Sequence, residues 1–388
     1  MDITKVTDSI KYIGVNDKEI DLFEGQYIVP NGISYNSYVI LDEKIVVMDT
    51  VDAGFTDAWL DNLTSVLEGR EVDYLVISHM EPDHAANIQV LTEKYPQLQL
   101  VGNSKTFQMI PQFFEMDIAN RCVTVAEGDT LNVGSHTLQF FMAPMVHWPE
   151  VMVTYESSEK VLFSADAFGK FGALDVAEDW TCEARRYYFN IVGKYGVQVQ
   201  TLLKKVAGLD ISMICPLHGP ILKEDLGFYL GKYDVWSSYE AEDDGVFIAY
   251  ASIYGNTAKA AKKFAEILST NGANKVSVCD LAREDMAESI EDAFRYDKIV
   301  LAAASYEGDV FPFMAEFLHH LKGKNYKKRK VALIENGSWA PSAGRVMRGV
   351  LETMKNISLC ENIVTIKSTM KTENIAEMEA MAEELLAK

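Results

Sequence analysis

The spacing of apolar residues follows two different patterns along the chain. Up to about residue 240, short β-rich runs are mixed with a few segments of helical spacing. From residue 246 to residue 386, strands and helices alternate in five βα units. The charged stretch 236–244 between the two patterns is typical of a domain linker. We therefore expect two domains, 1–244 and 245–388.

The alternation of strands and helices in residues 246–386 predicts a doubly wound, five-stranded parallel sheet with helices on both faces. The first pattern predicts a hairpin at 38–48, helices at 55–67 and 84–94, a strand at 72–77, short strands from 98 to 165, a long helix at 183–206 and a strand at 213–215.

Potential metal ligands follow several of these strands. His79, Glu81, Asp83 and His84 lie within six residues, 79–84, in the segment that follows the strand 72–77. His147, Asp166 and His218 occupy comparable places after later strands. Because parallel strands present their chemistry at their C-terminal ends, we expect these seven side chains to form one metal site. His136, His319 and His320 have no such setting and are predicted to be surface or helix-end residues.

The net charge of −21 lies wholly in the first part of the chain. Residues 1–244 hold 17 Lys+Arg against 38 Asp+Glu, whereas residues 245–388 hold 19 of each. An acidic surface repels nucleic acid and anionic membranes, so no such partner is expected.

Five scattered cysteines without a Cys-x-x-Cys pair exclude a disulfide framework and a thiolate metal site. The segment 1–11 is polar, and no run of about 18 apolar residues occurs, so a cytoplasmic protein without membrane insertion is expected.

The spacing His79-x-Glu81-x-Asp83-His84, followed by His147, Asp166 and His218, resembles the metallo-β-lactamase fold, an αββα sandwich. Hydrolases of that fold usually carry histidine at the second position. Glu81 there matches the flavodiiron proteins, and the added oxygen donor favours non-haem iron over zinc. The resemblance implies that His79, Glu81 and His147 hold one iron, that Asp83, His84 and His218 hold the other, and that Asp166 bridges them.

The loop after the first strand of the second domain has the composition of a phosphate site. Backbone N–H groups at a helix N-terminus, small residues and hydroxyls bind a monophosphate there without a basic side chain. The sequence of this loop, residues 252–257, resembles that of flavodoxins. This resemblance implies FMN, with the isoalloxazine ring flanked by two later loops. The predicted binding residues are Ser252, Ile253, Tyr254, Gly255, Asn256, Thr257, Ser305, Tyr306, Glu307, Gly308, Asn336, Gly337, Ser338, Trp339 and Ala340.

Together the two halves resemble flavodiiron proteins over nearly the whole chain. The resemblance implies reduction of O2 to water, of NO to N2O, or of both, in a head-to-tail homodimer or a tetramer. Because no rubredoxin-like tail follows Lys388, electrons are expected from a separate donor such as rubredoxin or another soluble carrier.

Several roles stay open at this point. Trp148 lies either between cofactors or in the core, and Tyr187 and Tyr188 either line the substrate pocket or pack their helix. The basic cluster at 322–330 either steers an acidic donor or is a solvated loop. Two other functions also fit the sequence: a di-zinc metallohydrolase with a flavodoxin module, and a non-catalytic flavin electron carrier.

Overall fold

A computed structural model describes residues 5–387 of the chain. The chain folds into two units. The first comprises the residues up to 188 together with 197–234, and the second comprises 189–196 together with the residues from 235 onward. The domain boundary predicted at residue 244 stays a prediction. Residues 1–4, part of the predicted polar N-terminus, lie outside the described residues.

Two sheets build the first unit, as the sandwich prediction requires. The first has the order β1-β6-β7-β8-β9-β10 and the second has the order β11-β12-β13-β14-β15. The strands of the first sheet are β1 (Ile10–Tyr12), β6 (Tyr38–Ile40), β7 (Val46–Met48), β8 (Tyr74–Val76), β9 (Gln99–Gly102) and β10 (Cys122–Thr124). Those of the second are β11 (Thr130–Asn132), β12 (Thr137–Met142), β13 (Met152–Glu156), β14 (Val161–Phe163) and β15 (Met213–Cys215).

The core of this unit lies between the two sheets. Tyr38 and Val76 of the first sheet pack in one cluster with Phe140, Met152 and Phe163 of the second. Each inner face is apolar because alternate residues of a strand point to the same side. This burial is the main stabilising contribution to the sandwich.

Short hairpins and helices complete the first unit. Two small sheets pair β2 (Val15–Asp17) with β5 (Ile33–Tyr35) and β3 (Leu22–Phe23) with β4 (Tyr27–Ile28). The helices that lie wholly or mostly in it are α1 (Thr56–Leu67), α2 (Pro82–Ala85), α3 (Ile88–Lys94), α4 (Ser104–Phe113), α5 (Trp180–Tyr187), α6 (Gly196–Val206) and α7 (Leu226–Ser237).

Two predictions for this unit are wrong in detail. The region 99–165 contains the helix α4, which begins where the Asn103 side chain accepts hydrogen bonds from the Lys105 and Thr106 amides. The long helix predicted at 183–206 is interrupted between α5 and α6 by a π-helical turn and a 3₁₀ turn, Tyr188–Val192 and Gly193–Tyr195. Periodicity alone does not detect such a break, because both halves keep helical spacing.

The second unit is the predicted five-stranded parallel sheet. Its strand order is β17-β16-β18-β20-β21, and a short strand, β19, pairs antiparallel with β18. The strands are β16 (Asp243–Ala251), β17 (Val276–Asp280), β18 (Tyr296–Tyr306), β19 (Asp309–Val310), β20 (Arg329–Asn336) and β21 (Ile357–Ile366). The helices are α8 (Asn256–Thr270), α9 (Met286–Arg295), α10 (Pro312–Gly323), α11 (Ala343–Leu351) and α12 (Thr372–Leu386). No helix among residues 5–387 is long and apolar enough to cross a bilayer.

The inter-sheet core generates a stability prediction. Phe140 is fully buried between the sheets. We expect Phe140→Ala to lower the free energy of unfolding by about 3–5 kcal/mol, because the lost apolar contacts leave a cavity. Urea unfolding followed by tryptophan fluorescence measures it. Phe113, 43% exposed at the end of α4, is the matched control, and Phe113→Ala is expected to cost less than about 1 kcal/mol. Equal losses in the two variants would contradict this assignment of the core.

Candidate metal centre and cofactor pocket

The strand ends of the first unit bring the predicted metal residues together. β14 and β15 are parallel, and the hydrogen bonds Ser164 N to Cys215 O and Leu217 N to Ala165 O continue their pairing beyond the strands. Asp166 and His218 therefore leave the same edge side by side. The Met152 amide donates to the Ser78 carbonyl, which links β13 of the second sheet to the loop after β8.

The seven side chains form two adjacent groups. His79, Glu81, His147 and Asp166 offer ligand atoms within 4.8 Å of one another, and so do Asp83, His84 and His218. Six of the seven side chains are buried, and Glu81 is partly buried.

Asp166 connects the groups through its two oxygens. Its Oδ2 lies 3.0 Å from His147 Nε2 and 3.3 Å from His79 Nε2. Its Oδ1 lies 3.6 Å from His84 Nε2 and 3.9 Å from His218 Nε2. One carboxylate thus faces both groups, which is the arrangement of a bridging ligand.

The nitrogens of the second group face one another. His84 Nε2 lies 3.0 Å from His218 Nε2, and Asp83 Oδ2 lies 3.3 Å and 3.4 Å from them. The His218 Nδ1–H donates to the Ser34 carbonyl at 2.7 Å, which places the lone pair of His218 on Nε2. His84 therefore points into the site with the other ligand candidates.

Buried acceptors without donors indicate a cation. Within the described residues, neither oxygen of Asp83 nor of Asp166 has a hydrogen-bond partner of good geometry, and all four atoms are shielded from solvent. Buried carboxylate oxygens are normally hydrogen-bonded or bound to a metal. The donor set of imidazole nitrogens and carboxylate oxygens fits a pair of divalent ions.

Charge and burial have opposite effects on the pKa values of the first group. Burial alone would lower the pKa of His147, but the carboxylates of Asp166 and Glu81 raise it to about 9. Burial alone would raise the pKa of Asp166, but the imidazoles of His79 and His147 hold it far below its ordinary value. In the second group, burial dominates and lowers the pKa of His84 to about 4. Metal ions would replace the protons shared within this cluster.

Sequence reasoning missed Glu150, a fully buried glutamate that supports His79. Its Oε1 accepts from His79 Nδ1 and from the Met80 amide, both at 2.8 Å. This contact holds the Nε2 lone pair of His79 toward the site. The available signal was an acidic residue three positions after His147, in the same loop.

Aromatic rings surround the second group. The rings of Phe23, Tyr187 and Tyr35 lie 5.4, 5.5 and 6.1 Å from the ring of His218. Tyr187 therefore belongs to the site, whereas Tyr188 packs against Tyr233 at 5.1 Å. Phe23 and Tyr35 lay in segments without a ligand signal and were not predicted.

Trp148 is half-buried beside the first group. Its ring lies 5.1 Å edge-on from the ring of His79. The tryptophan is therefore next to the site and is not an ordinary core residue.

One other prediction needs correction, and one alternative that the sequence left open becomes narrower. His136 is buried rather than at the surface, and its Nδ1 lies 2.6 Å from Asp42 Oδ2. In the basic cluster, Arg329 is buried and donates to backbone carbonyls, while Lys328 pairs with Glu240 at 2.5 Å. The free positive charge of that cluster is therefore smaller than its composition indicated.

The predicted cofactor residues of the second unit line one cavity of about 290 Å³. All of them contribute except Gly255, and the cavity also includes Ala304 and Ser368, which sequence reasoning missed. Ser368 follows β21 and its Oγ lies 2.7 Å from Ser338 Oγ. Its place after the fifth strand was the available signal.

The phosphate end of this cavity matches the expected chemistry. Gly255 caps α8 with φ of 88° and provides no side-chain cap, so the first-turn amides face the cavity end of the helix. Ser252 and Thr257 are buried beside it. Among residues 5–387, no Lys or Arg lines the cavity, which agrees with an anion held by amides and hydroxyls.

The contact between Glu150 and His79 predicts an effect on metal binding. We expect Glu150→Ala to weaken metal affinity about 10- to 100-fold, because His79 loses the acceptor that orients it. Competition with a chelator measures the apparent dissociation constant. Glu150→Gln keeps an acceptor oxygen and is expected to lose less. Equal affinity of Glu150→Ala and the unmodified protein would contradict the role of Glu150.

Two family models match the chain. The model described as ODP family beta lactamase matches residues 33–219, and the model described as a flavodoxin domain matches residues 247–373. The two matches correspond to the sandwich and to the parallel sheet.

Similar proteins extend these matches over most of the chain. An uncharacterized protein of Methanocaldococcus jannaschii is 28% identical over 96% of this chain and 95% of its own length. An anaerobic nitric oxide reductase flavorubredoxin of Vibrio vulnificus is 30% identical over 86% of this chain and 70% of its own length.

A solved structure has the same fold over nearly the whole chain. The rubredoxin oxygen:oxidoreductase of Desulfovibrio gigas superposes with a TM-score of 0.92 at 26% identity, covering 98% of this chain and 97% of that chain. On these grounds the chain belongs to the flavodiiron protein family.

Proposed function

We propose that this protein reduces O2 to water, NO to N2O, or both, at a non-haem di-iron site that receives electrons through FMN. The family makes the chain an oxidoreductase, and the flavodoxin domain and the flavodiiron relatives imply FMN and a di-iron centre. The observation that carries the proposal is the placement of Asp166, whose two oxygens face two separate groups of imidazoles and carboxylates.

The seven ligand candidates would hold the metals as follows. His79, Glu81 and His147 belong to one ion, Asp83, His84 and His218 belong to the other, and Asp166 is shared. Glu81 Oε2 lies 3.2 Å from His79 Nε2 and 3.0 Å from His147 Nε2, so it takes part in the first group as an oxygen donor. Mixed imidazole and carboxylate donors with three carboxylates favour iron.

The surrounding residues prepare the site for a small, uncharged substrate. When bound, two reduced irons supply electrons and open coordination positions for a diatomic molecule. The rings of Phe23, Tyr35 and Tyr187 restrict access of water beside His218. Glu150 and the Ser34 carbonyl hold two imidazoles in the orientation that ligation needs.

The flavin would occupy the cavity of the second unit. Ser252, Thr257 and the first amides of α8 would hold its phosphate. The exposed rings of Tyr306 and Trp339 line the same cavity and are available to contact the isoalloxazine ring. A flavin accepts electrons singly or in pairs. FMN can therefore connect a carrier that delivers single electrons with a reaction that consumes two or four electrons.

The remaining parts of the proposal concern partners and setting. Electrons come from a separate carrier such as rubredoxin, an assignment supported by the names of the Vibrio vulnificus and Desulfovibrio gigas relatives. The protein works as a head-to-tail homodimer or as a tetramer built from two such dimers. It removes O2 or NO from the cytoplasm of an anaerobic cell.

The phosphate site predicts a selective loss of FMN affinity. We expect Ser252→Ala and Thr257→Val each to weaken FMN binding roughly 10- to 100-fold, because each removes a hydrogen bond to a charged group. Riboflavin, which lacks the phosphate, should bind both variants as it binds the unmodified protein. Quenching of flavin fluorescence measures both affinities, and Ser269→Ala, on the exposed part of α8, is the matched control. Parallel losses for FMN and riboflavin would place the phosphate elsewhere.

The reaction itself is tested with the purified protein and its metals. The reduced protein is mixed anaerobically with O2 or with NO, and gas consumption and product are measured. We expect Asp166→Asn to lower turnover about 100-fold or more while FMN is still reduced, because the shared ligand is weakened. Asp61→Asn on the exposed face of α1 is the control.

Metal analysis accompanies this test. Two irons per chain with gas consumption support the proposal. Stoichiometric zinc with hydrolytic turnover would establish a metallohydrolase, and full electron transfer by Asp166→Asn without gas consumption by the unmodified protein would establish a flavin carrier.

A further inference from the structure

A third group of possible metal ligands lies outside the candidate metal centre and the cofactor cavity. His136, Glu156 and Glu159 offer ligand atoms that all lie within 4.8 Å of one another. His136 and Glu156 are buried, and Glu159 is partly buried. Gas reduction and flavin binding use none of these three residues, so the proposed function gives the group no role.

This group lies at the end of the second sheet that is opposite the metal centre. His147 follows β12 and Asp166 follows β14, and these two strands run in the same direction because each is antiparallel to β13. His136 precedes β12, and Glu159 lies in the turn before β14. Glu156 is the last residue of β13, at the same turn. The two clusters are therefore separate sites at opposite strand ends.

A carboxylate fixes the orientation of the His136 imidazole. Nδ1 of His136 lies 2.6 Å from Oδ2 of Asp42, and this carboxylate accepts the Nδ1 proton and leaves the lone pair on Nε2. Asp42 is itself held by backbone amides, because Oδ2 accepts from the His136 amide at 2.7 Å and Oδ1 accepts from the Glu43 amide at 2.8 Å. Histidines that bind a metal almost always donate their other N–H to such an acceptor.

The Nε2 atom of His136 faces Glu159 and the hydroxyl of Ser9. It lies 3.8 Å from Oε2 of Glu159 and 2.9 Å from Oγ of Ser9. Two ligands of a tetrahedral zinc ion, each about 2.0–2.1 Å from the metal, are roughly 3.4 Å apart. The nitrogen and the carboxylate oxygen are therefore close to the separation that ligation requires.

Negative charge in this group exceeds the available positive charge. The carboxylates of Asp42, Glu156 and Glu159 surround one imidazole, so even a protonated His136 leaves an excess. Among residues 5–387, no lysine or arginine forms an ion pair with any of the three carboxylates. Two backbone amides donate to Glu156 at 2.7 Å and hold it in place, but they carry no net charge. Buried carboxylates are normally paired with a cation or bound to a metal.

The same contacts include the spacing of a hydrolytic triad, with Ser9 as nucleophile, His136 as base and Asp42 as its partner. Two features oppose acyl transfer. The Ser9 amide donates to Oγ1 of Thr7 at 3.3 Å, and the two glutamates next to the hydroxyl would repel a developing oxyanion. The surroundings of Ser9 therefore favour a bound cation.

We propose that His136, Glu156 and Glu159 bind one zinc ion, with Asp42 orienting the imidazole and with water or the Ser9 hydroxyl as the fourth ligand. An imidazole nitrogen favours zinc over Mg²⁺ and Ca²⁺, which take oxygen ligands. Asp42 lies between β6 and β7 of the first sheet, whereas the three ligands belong to the second sheet. The ion therefore joins the two sheets at this end, and its role is structural. This proposal is independent of the proposed function.

Zinc binding to the metal-loaded protein, whose centre at Asp166 is already occupied, is the first test. Equilibrium dialysis at micromolar free zinc, followed by metal analysis, should give one additional zinc per chain with the iron content unchanged. We expect His136→Ala and Glu159→Gln to weaken zinc binding at least about 10-fold, and Asp42→Asn to weaken it about 10- to 100-fold. Glu159→Gln keeps the acceptor for the Thr7 hydroxyl, 2.5 Å away, so it reports the loss of an anionic ligand.

Two variants are matched controls. His319→Ala removes an exposed imidazole on α10, and Glu43→Gln neutralises an exposed glutamate next to Asp42. Both should bind zinc as tightly as the unmodified protein. Far-UV circular dichroism checks the fold of every variant. If the buried His136 cannot be replaced without unfolding, Glu159→Gln decides the test, because Glu159 is at the surface of the group.

Anomalous diffraction at the zinc absorption edge locates the ion. We expect a peak about 2.0–2.2 Å from Nε2 of His136 and from a carboxylate oxygen of Glu159. Absence of additional zinc from the unmodified protein would overturn the proposal, and so would equal zinc affinity in Glu159→Gln. A zinc peak at the Asp166 cluster alone would also overturn it, because the zinc would then have replaced the metals of the other site.

Discussion

The mutual attraction between buried carboxylates and imidazoles is the constraint on which the first unit depends. Three carboxylates and four imidazoles meet where solvent is largely excluded, and several of their atoms have no hydrogen-bond partner among the described residues. Such a cluster is costly unless positive charge compensates it. The raised pKa of His147 leaves its imidazole positively charged 3.0 Å from Asp166, which compensates part of this cost, and two metal ions would compensate it fully.

The sandwich supplies the rigidity that this cluster needs. Each ligand candidate follows a strand that contributes to the inter-sheet core around Phe140, so the packing of that core holds the candidates in place. Backbone bonds such as Met152 N to Ser78 O join the two sheets at the site itself. Stability and metal binding are therefore coupled through the same strands.

The two units place their candidate sites at the same kind of position in a sheet. Both place polar groups at the C-terminal ends of parallel strands, where side chains of neighbouring loops converge. In the first unit these groups are acidic and basic, and suit metal ions. In the second they are hydroxyls, amides and glycines, and suit a phosphate and a planar ring. The two kinds of site agree with the FMN and the di-iron centre that the family implies.

The sequence by itself determined the two patterns of apolar spacing, the ligand types and the loops that carry them, because strand period and residue chemistry are local properties. His79, Asp166 and His218 could be selected since each follows an apolar strand, and Glu81 already indicated iron. Only the tertiary structure decided that Asp166 divides its oxygens between two groups and that Glu150 orients His79. The tertiary structure also decided the break between α5 and α6 and the burial of His136. Each depends on packing between segments far apart in the chain, and the direction of a side chain there is set by its neighbours rather than by its own sequence.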